Sequence, residues 1–217
     1  MAIENSLAKL INFGERQGYI RYETIGHLDK SCCTKSAVKV IDFDFFKEEF
    51  EKKKGLVHFK SADALKIVEN RLDFIEMKGL FVLFTNPNVP AVQKTQQSVS
   101  STIENFGVSD KIKDSLLIWD VFLKGKNGLN GKEVREIETD VVFQFILLTD
   151  VQHDSVEWIA TSFNFFAEYN SNLPAFLQQK LQAQLGEIDA SILARIKNLP
   201  LLKNCSEIDA FYGAEIS

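Results

Sequence analysis

Cysteine is scarce in this sequence, and its spacing is irregular. The 217 residues include three cysteines, of which Cys32 and Cys33 are neighbours and Cys205 lies far along the chain. An odd number of cysteines without a repeated spacing does not predict a disulfide framework of the kind that holds small secreted domains together. We therefore expect no such framework, and a reducing cytoplasm as the location of the protein.

Long apolar runs are also missing. No run reaches 18 residues, so the sequence predicts no transmembrane helix. The N-terminal stretch has no basic start followed by an apolar segment, so we do not expect a signal peptide. It instead predicts an amphipathic helix over about 3–17, with Ile3, Leu7, Leu10 and Ile11 on one stripe.

The chain also lacks an excess of positive charge. The formal net charge is −5 and the sequence pI is about 5.3. Such a chain has no overall attraction to nucleic acid, because the phosphate backbone is itself negative. Any site for a polyanion must therefore be a local patch.

Apolar residues, in contrast, are plentiful. They make up 45% of the chain and include 18 phenylalanines, which is enough for a substantial core and argues against disorder. After the first helix, periodicity and turn residues predict a short strand or extended connector (19–26) and an extended segment that becomes a helix capped by Asp44 and ended by Gly55 (35–55). Strands follow at 55–60, 64–69 and 72–84, and then helices at about 90–106 and 109–123. A glycine-rich loop (124–133), a strand (139–151) and helices (about 154–168, 173–186, 188–197) complete the prediction. This order is typical of an α/β layer around a central sheet.

One predicted hairpin carries charges where apolar side chains are expected. Side chains alternate across a strand, so Glu76 and Lys78 lie on one face while Ile75 and Met77 lie on the other. A turn at 69–71 pairs position 63 with about position 77, which places Asp63 beside Glu76 and Lys78. The strand continues as GLFVLF, a run typical of a strand covered on both faces, where charges need a reason.

Two neighbouring carboxylates repel each other unless a cation neutralises them. Mg²⁺ or Mn²⁺ accepts oxygen ligands and leaves positions open for water and phosphate. A lysine beside the ion can orient or deprotonate a water molecule. Asp63, Glu76 and Lys78 therefore form a chemically reasonable site for cleaving phosphodiester bonds.

The same stretch resembles the PD-(D/E)xK nuclease superfamily, which has the restriction-endonuclease-like fold. The matching residues are Asp63, 12 intervening residues, and then Glu76, Met77 and Lys78. A preceding helix, a motif-bearing hairpin, a further helix and a further strand also match. The resemblance implies that Asp63, Glu76 and the backbone carbonyl of Met77 bind the metal ion and that Lys78 orients water. It further implies a glutamate from the preceding helix, for which Glu49 is best placed, with Glu48 and Glu51 as alternatives.

Some positions depart from the family pattern or have weaker support. Ala62 stands where the family has proline, and the Gln93 and Gln97 pair has no tyrosine partner. Lys60 is a candidate phosphate contact, although an exposed lysine needs no such role. Gln93 and Gln96 are candidate substrate-binding residues near a helix N-terminus, where a simple hydrogen-bonded helix start is the alternative.

Other patterns have simpler explanations than a functional site. The charges of the hairpin would also suit a solvated strand face with a cross-strand ion pair, or a nuclease fold that has lost catalysis. The glycine-rich loop lacks the spacing of a phosphate-binding loop. His153 and Asp154 suit a helix start capped by Asp154, and Cys32, Cys33 and His27 lack the spacer usual in zinc sites.

These features predict one α/β domain over 1–217, with a restriction-endonuclease-like central mixed sheet flanked by helices. The nuclease-like core covers about 40–150, and extra helices lie at the N-terminus and in a C-terminal extension over about 154–217. The expected function is a metal-dependent nuclease that uses Mg²⁺ or Mn²⁺ and acts on DNA rather than RNA. The alternative is an inactive protein of the same fold that binds a partner or forms a homodimer, for which the helices at 173–197 offer a surface.

Overall fold

The computed structural model describes residues 2–29, 31–55, 59–125, 127–152, 154–169 and 172–213. Within them, six strands form a single sheet in the order in which they occur along the chain. The strands are β1 (Tyr22–Thr24), β2 (Lys39–Asp42), β3 (Ala64–Val68), β4 (Arg71–Lys78), β5 (Val142–Thr149) and β6 (Leu201–Asn204).

Helices surround this sheet. They are α1 (Ala2–Arg16), α2 (Phe43–Lys54), α3 (Phe81–Thr85), α4 (Gln96–Glu104), α5 (Val108–Lys124), α6 (Gly131–Asp140), α7 (Val156–Asn164), α8 (Phe166–Tyr169), α9 (Leu173–Gly186), α10 (Ala190–Ile196) and α11 (Ile208–Gly213). Short 3₁₀ helices occur at Ile25–His27 and Ala91–Lys94. None of the described helices is both long and apolar enough to cross a membrane.

The sheet is mixed, as expected. Strands β1 to β4 pair antiparallel, whereas β5 is parallel to β4 and β6 is parallel to β5. The connection from β4 to β5 is long and contains α3 to α6, as a parallel pair requires. The α/β class and the helices flanking a mixed sheet are thus confirmed.

Strand β4 lies inside the sheet and is covered on both faces. Leu72 and Phe74 pack into the larger apolar cluster, which includes residues of α1, α2 and α5. Ile75 and Met77 pack into the smaller cluster on the opposite face, as the alternation predicted. Any charge inside β4 is therefore removed from bulk water and needs a partner.

Several predicted helix boundaries are accurate. Helix α1 buries Leu7, Leu10 and Ile11, so the N-terminal amphipathic helix is confirmed. Helix α2 ends at Gly55, which has the left-handed conformation. Its N-cap, however, is Asp42 and not Asp44, because the Asp42 carboxylate accepts a hydrogen bond from the Phe45 N–H at 2.9 Å.

Other predicted elements are wrong. The run 72–84 does not continue as a strand, since β4 ends at Lys78 and α3 follows. The glycine-rich loop ends early because α6 begins at Gly131. The helices expected after position 154 are confirmed by α7 to α10, and β6 is the strand that the prediction did not include. The predicted strand at 55–60 lies partly outside the described residues, and its positions 59 and 60 are not in a strand.

Candidate active site

The hairpin of β3 and β4 places Asp63 next to Glu76. Ala64 pairs with Ile75, so Asp63, one residue earlier, stands at the level of Glu76. This register differs by one position from the expected pairing with residue 77, and it places both carboxylates on one face of the sheet. Backbone hydrogen bonds hold Asp63 in position, from its N–H to the Ile75 carbonyl at 3.0 Å and from the Phe43 N–H to its carbonyl at 3.1 Å.

The Asp63 carboxylate is partly buried and lies close to another negative group. Its Oδ2 accepts a hydrogen bond from the Met77 N–H at 2.6 Å. Burial and the nearby charge of Glu76 raise the pKa of Asp63 to about 7, while Lys111 acts in the opposite direction. Near neutral pH this carboxyl group can therefore gain or lose a proton.

Glu76 is fully buried and is neutralised by two lysines. The Lys78 and Lys111 ammonium groups each lie 2.6 Å from Glu76 Oε1. The other carboxylate oxygen, Oε2, is buried without a hydrogen-bond partner among the described residues. A buried acceptor with no partner is unusual, and it leaves a position where a cation or a water molecule would be stabilised.

A cleft of about 810 Å³ is lined by Asp63, Lys78 and Lys111, whereas Glu76, which both lysines contact, is fully buried and does not line it. The charged side chains that line it are Asp44, Asp63, Asp150, Lys47, Lys60, Lys78 and Lys111. Four lysines and three aspartates line the cleft, and each lysine is paired with a carboxylate, so the cleft carries charges of both signs. Such a cleft can attract a phosphate group while its carboxylates hold a divalent cation.

The start of α2 supplies a further carboxylate to the cleft. Asp44 Oδ1 accepts a hydrogen bond from the Ser61 hydroxyl at 2.9 Å and lies 3.1 Å from the Lys47 ammonium. Glu49, predicted as the helix contribution, does not line the cleft and pairs with Lys52 at 2.9 Å. The structure thus places Asp44, five residues earlier, in the cleft where a carboxylate from Glu49 was expected.

The predicted substrate-binding residues are only partly brought together. Lys60 lines the cleft, and its ammonium group pairs with Asp110 at 2.8 Å. Gln93 and Gln96 do not line it. The Gln96 N–H donates to the Glu168 carboxylate at 2.7 Å, which places this residue against α8 instead.

Sequence reasoning missed Lys111, although a signal for it was present. Val108, Ser115, Ile118 and Phe122 are buried on one stripe of α5, and Lys111 is a half-buried charged residue at the same helical spacing. Burial lowers the pKa of its ammonium group, but the charges of Glu76 and Asp63 together raise this pKa by a larger amount, so the net shift is upward. Lys111 therefore stays positively charged beside Glu76.

The cysteines depart from the sequence expectation. Cys33 and Cys205 form a disulfide across 172 residues, whereas we expected no disulfide framework. Disulfides are typical of oxidising compartments, so this bond gives the predicted cytoplasmic location no support. Cys32 carries a free thiol that borders the cleft, and burial and the charge of Asp150 raise its pKa to about 12.

Two weaker patterns also have structural explanations. The glycine-rich loop leads into α6 through a capping box between Asn130 and Glu133. Ser155, and not Asp154, is the N-cap of α7, and His153 lies outside the described residues. His27 belongs to neither the cleft nor the cysteine group and lies 3.5 Å from Glu23.

Comparisons of this chain with protein-family models, with curated proteins and with solved structures found no match.

Proposed function

We propose that this protein is a metal-dependent phosphodiesterase, and specifically a nuclease that acts on DNA. The observation that carries the proposal is the Glu76 carboxylate, whose Oε2 is buried and unpartnered at the level of Asp63. Further support comes from the motif-bearing antiparallel hairpin followed by the parallel strand β5, which agrees with the restriction-endonuclease-like architecture implied by the resemblance.

The donor set of the site fits a hard divalent cation. Asp63 and Glu76 would hold Mg²⁺ or Mn²⁺ through carboxylate oxygens, with the Met77 carbonyl as a further oxygen ligand. A bound ion would stabilise negative charge on the phosphoryl oxygens. Asp44 replaces Glu49 as the acid that α2 contributes, because it is the one that lines the cleft.

The lysines of the site would have different roles. Lys78 would hold the water molecule that attacks phosphorus, and its contact with Glu76 fixes the position of its ammonium group. Lys111 contacts Glu76 from α5 and would offset part of the negative charge at the metal site. Lys47 and Lys60 border the same cleft and would contact substrate phosphates.

Cleavage of labelled single-stranded and duplex DNA with Mg²⁺, with Mn²⁺ and with EDTA tests the function. We expect cleavage that requires the metal ion and falls by at least about 100-fold in Lys78→Ala, since general acid–base groups contribute about 10²–10⁴-fold. Lys113→Ala is the matched control, because Lys113 is an exposed lysine of α5 that does not line the cleft. Equal cleavage by Lys78→Ala and the unchanged protein would contradict the proposed role.

A second candidate is a non-catalytic protein of the same fold that binds a partner. Two observations favour it. Lys78 and Lys111 already neutralise Glu76, and the neighbouring helices α7 and α8 expose Val156, Phe163 and Phe166. Mn²⁺ binding, measured by electron paramagnetic resonance, separates the two candidates. A nuclease loses the bound ion in Asp63→Asn, whereas an inactive relative binds no Mn²⁺ at all.

A further inference from the structure

All three cysteines of the chain meet at one place in the fold. Cys32 and Cys33 lie in the loop after the first 3₁₀ helix, and Cys205 follows β6. Their sulfur atoms all lie within 4.8 Å of one another. A disulfide needs only Cys33 and Cys205, so it does not account for the position of Cys32.

The sulfur of Cys32 lies at the distance expected between two ligands of one metal ion. Its Sγ is 3.7 Å from Cys33 Sγ and 3.9 Å from Cys205 Sγ. Tetrahedral zinc with Zn–S bonds of about 2.3 Å holds its sulfur ligands about 3.8 Å apart. The missing spacer between Cys32 and Cys33 is thus no obstacle, because their sulfurs already lie at this separation.

We propose that Cys32, Cys33 and Cys205 form, once reduced, a three-thiolate site for Zn²⁺ or another thiophilic cation. The disulfide and the bound metal ion are then alternative states of one cluster. Its sulfur ligands are distinct from the oxygen ligands proposed in the cleft, although Cys32 borders both cavities. The inference does not rest on the proposed nuclease function.

Conversion of the disulfide to the metal-bound state needs only a thiol reductant and a zinc ion. Two molecules of a thiol reductant supply two electrons and two protons, which convert the Cys33–Cys205 disulfide to two thiols, and the reductant leaves as its own disulfide. Zn²⁺ then binds the three sulfurs, and three thiol protons pass to solvent.

The surroundings of the cluster leave room for a fourth ligand. A second cavity of about 420 Å³ borders the three cysteines and is also lined by Asp150 and Asp209. The Asp209 carboxylate accepts a hydrogen bond from the Ser36 hydroxyl at 2.6 Å, which keeps it beside this cavity. A water molecule held in this cavity can therefore complete a tetrahedral shell.

Cobalt titration of the full chain tests the site, because Co²⁺ takes the place of Zn²⁺ and is coloured. The reduced protein should bind one Co²⁺ per chain, with thiolate-to-cobalt charge-transfer absorption that Zn²⁺ displaces. The oxidised protein should lack that absorption. Cys32→Ala should bind Co²⁺ at least about tenfold more weakly, since even changes to residues that only contact the metal ligands lower metal affinity by about 10–100-fold. Thr34→Ala is the matched control, because Thr34 lines the same cavity without offering sulfur.

Two results would overturn the proposal. One is a reduced chain that shows no thiolate-to-cobalt absorption, which would leave Cys32 as a partner in thiol–disulfide exchange only. The other is a Cys32→Ala variant that binds Co²⁺ as tightly as the unchanged chain. If reduction unfolds the protein, Zn²⁺ must restore its folded circular dichroism spectrum, and a failure to do so also rejects the site.

Discussion

At the scale of single residues, the two carboxylates of the hairpin respond differently to burial. Glu76 is fully buried and has two lysine partners, so its charge is compensated. Asp63 has one backbone hydrogen-bond donor and the negative charge of Glu76 nearby, so its pKa rises to about 7. Because of Glu76, the stability of the fold depends on the two lysines. Because of Asp63, the stability also depends on pH.

The raised pKa of Asp63 predicts that stability falls as pH increases from about 4 to about 7. In this range the folded state keeps a proton that the unfolded state has released, so the free energy of unfolding decreases by up to about 4 kcal/mol. Asp63→Asn should remove most of this decrease. Urea unfolding in EDTA at pH 5 and pH 8 measures the difference between the two proteins.

Asp110→Asn is the control for this experiment. Lys60 lowers the pKa of Asp110, so this substitution should leave the decrease between pH 5 and pH 8 in place. The explanation fails if Asp63→Asn loses the same stability between the two pH values as the unchanged protein does.

Lys111 should be essential for stability because it neutralises a buried charge. Removing one partner of a buried ion pair typically costs about 3–5 kcal/mol, and Lys78 remains to offset part of this cost. We expect Lys111→Met to lower the free energy of unfolding by about 2–4 kcal/mol in a urea titration. Adding Glu76→Gln should recover part of the loss, since the buried negative charge, which Lys78 then offsets alone, is removed.

Lys113→Met provides the comparison on the same helix. Lys113 is exposed, and exposed charges contribute within about 0.5 kcal/mol, so this variant should unfold like the parent protein. If Lys111→Met and Lys113→Met have the same effect, the Lys111–Glu76 pair does not contribute to stability.

At the scale of helices and strands, local patterns predicted the hairpin well. Strands β3 and β4 are rich in apolar and β-branched residues, and the turn between them contains Glu69 at a positive φ of 53° beside Asn70. The GLFVLF run was wrongly predicted as a strand because its apolar residues suit a strand as well as a buried helix. Helix α3 begins where the Leu80 and Phe81 N–H groups donate to Asp150, 70 and 69 residues away, which no local pattern predicts.

Helix α6 was missed for another reason, since its start lies in a glycine-rich segment. The Asn130 side-chain oxygen accepts hydrogen bonds from the Lys132 and Glu133 N–H groups at 3.0 Å, and the Asn130 N–H donates one to the Glu133 carboxylate at 2.8 Å. Asn130→Ala should therefore cost about 1 kcal/mol of stability in chemical unfolding. Asn130→Asp keeps an N-cap acceptor and should cost much less. Equal losses in both variants would show that the cap is not the cause.

At the scale of the whole molecule, the site depends on contacts between distant segments. Lys111 meets Glu76 from 35 residues away, and Ser115, on the same face of α5, accepts a hydrogen bond from the Ala62 N–H at 2.9 Å. Spacing along the chain predicted Asp63, Glu76 and Lys78 because one hairpin holds all three. The helical spacing of Lys111 marks it as an unusual charge on α5, but spacing along the chain does not place Lys111 beside Glu76 or Asp44 in the cleft, because both positions depend on how α5 and α2 pack against the sheet.

The longest-range link is the disulfide between Cys33 and Cys205, and it should contribute to stability through the unfolded chain. Closing a loop of 172 residues restricts that chain, which stabilises the fold by up to about 5 kcal/mol. Cys33→Ala and Cys205→Ala should each lose this contribution in urea unfolding with EDTA. The double variant should lose little more than either single variant, because one bond is removed in all three. Cys32→Ala keeps the disulfide and should stay near the parent value. If the losses of the two single variants instead add in the double variant, each cysteine stabilises the fold by its own packing and the disulfide is not the cause.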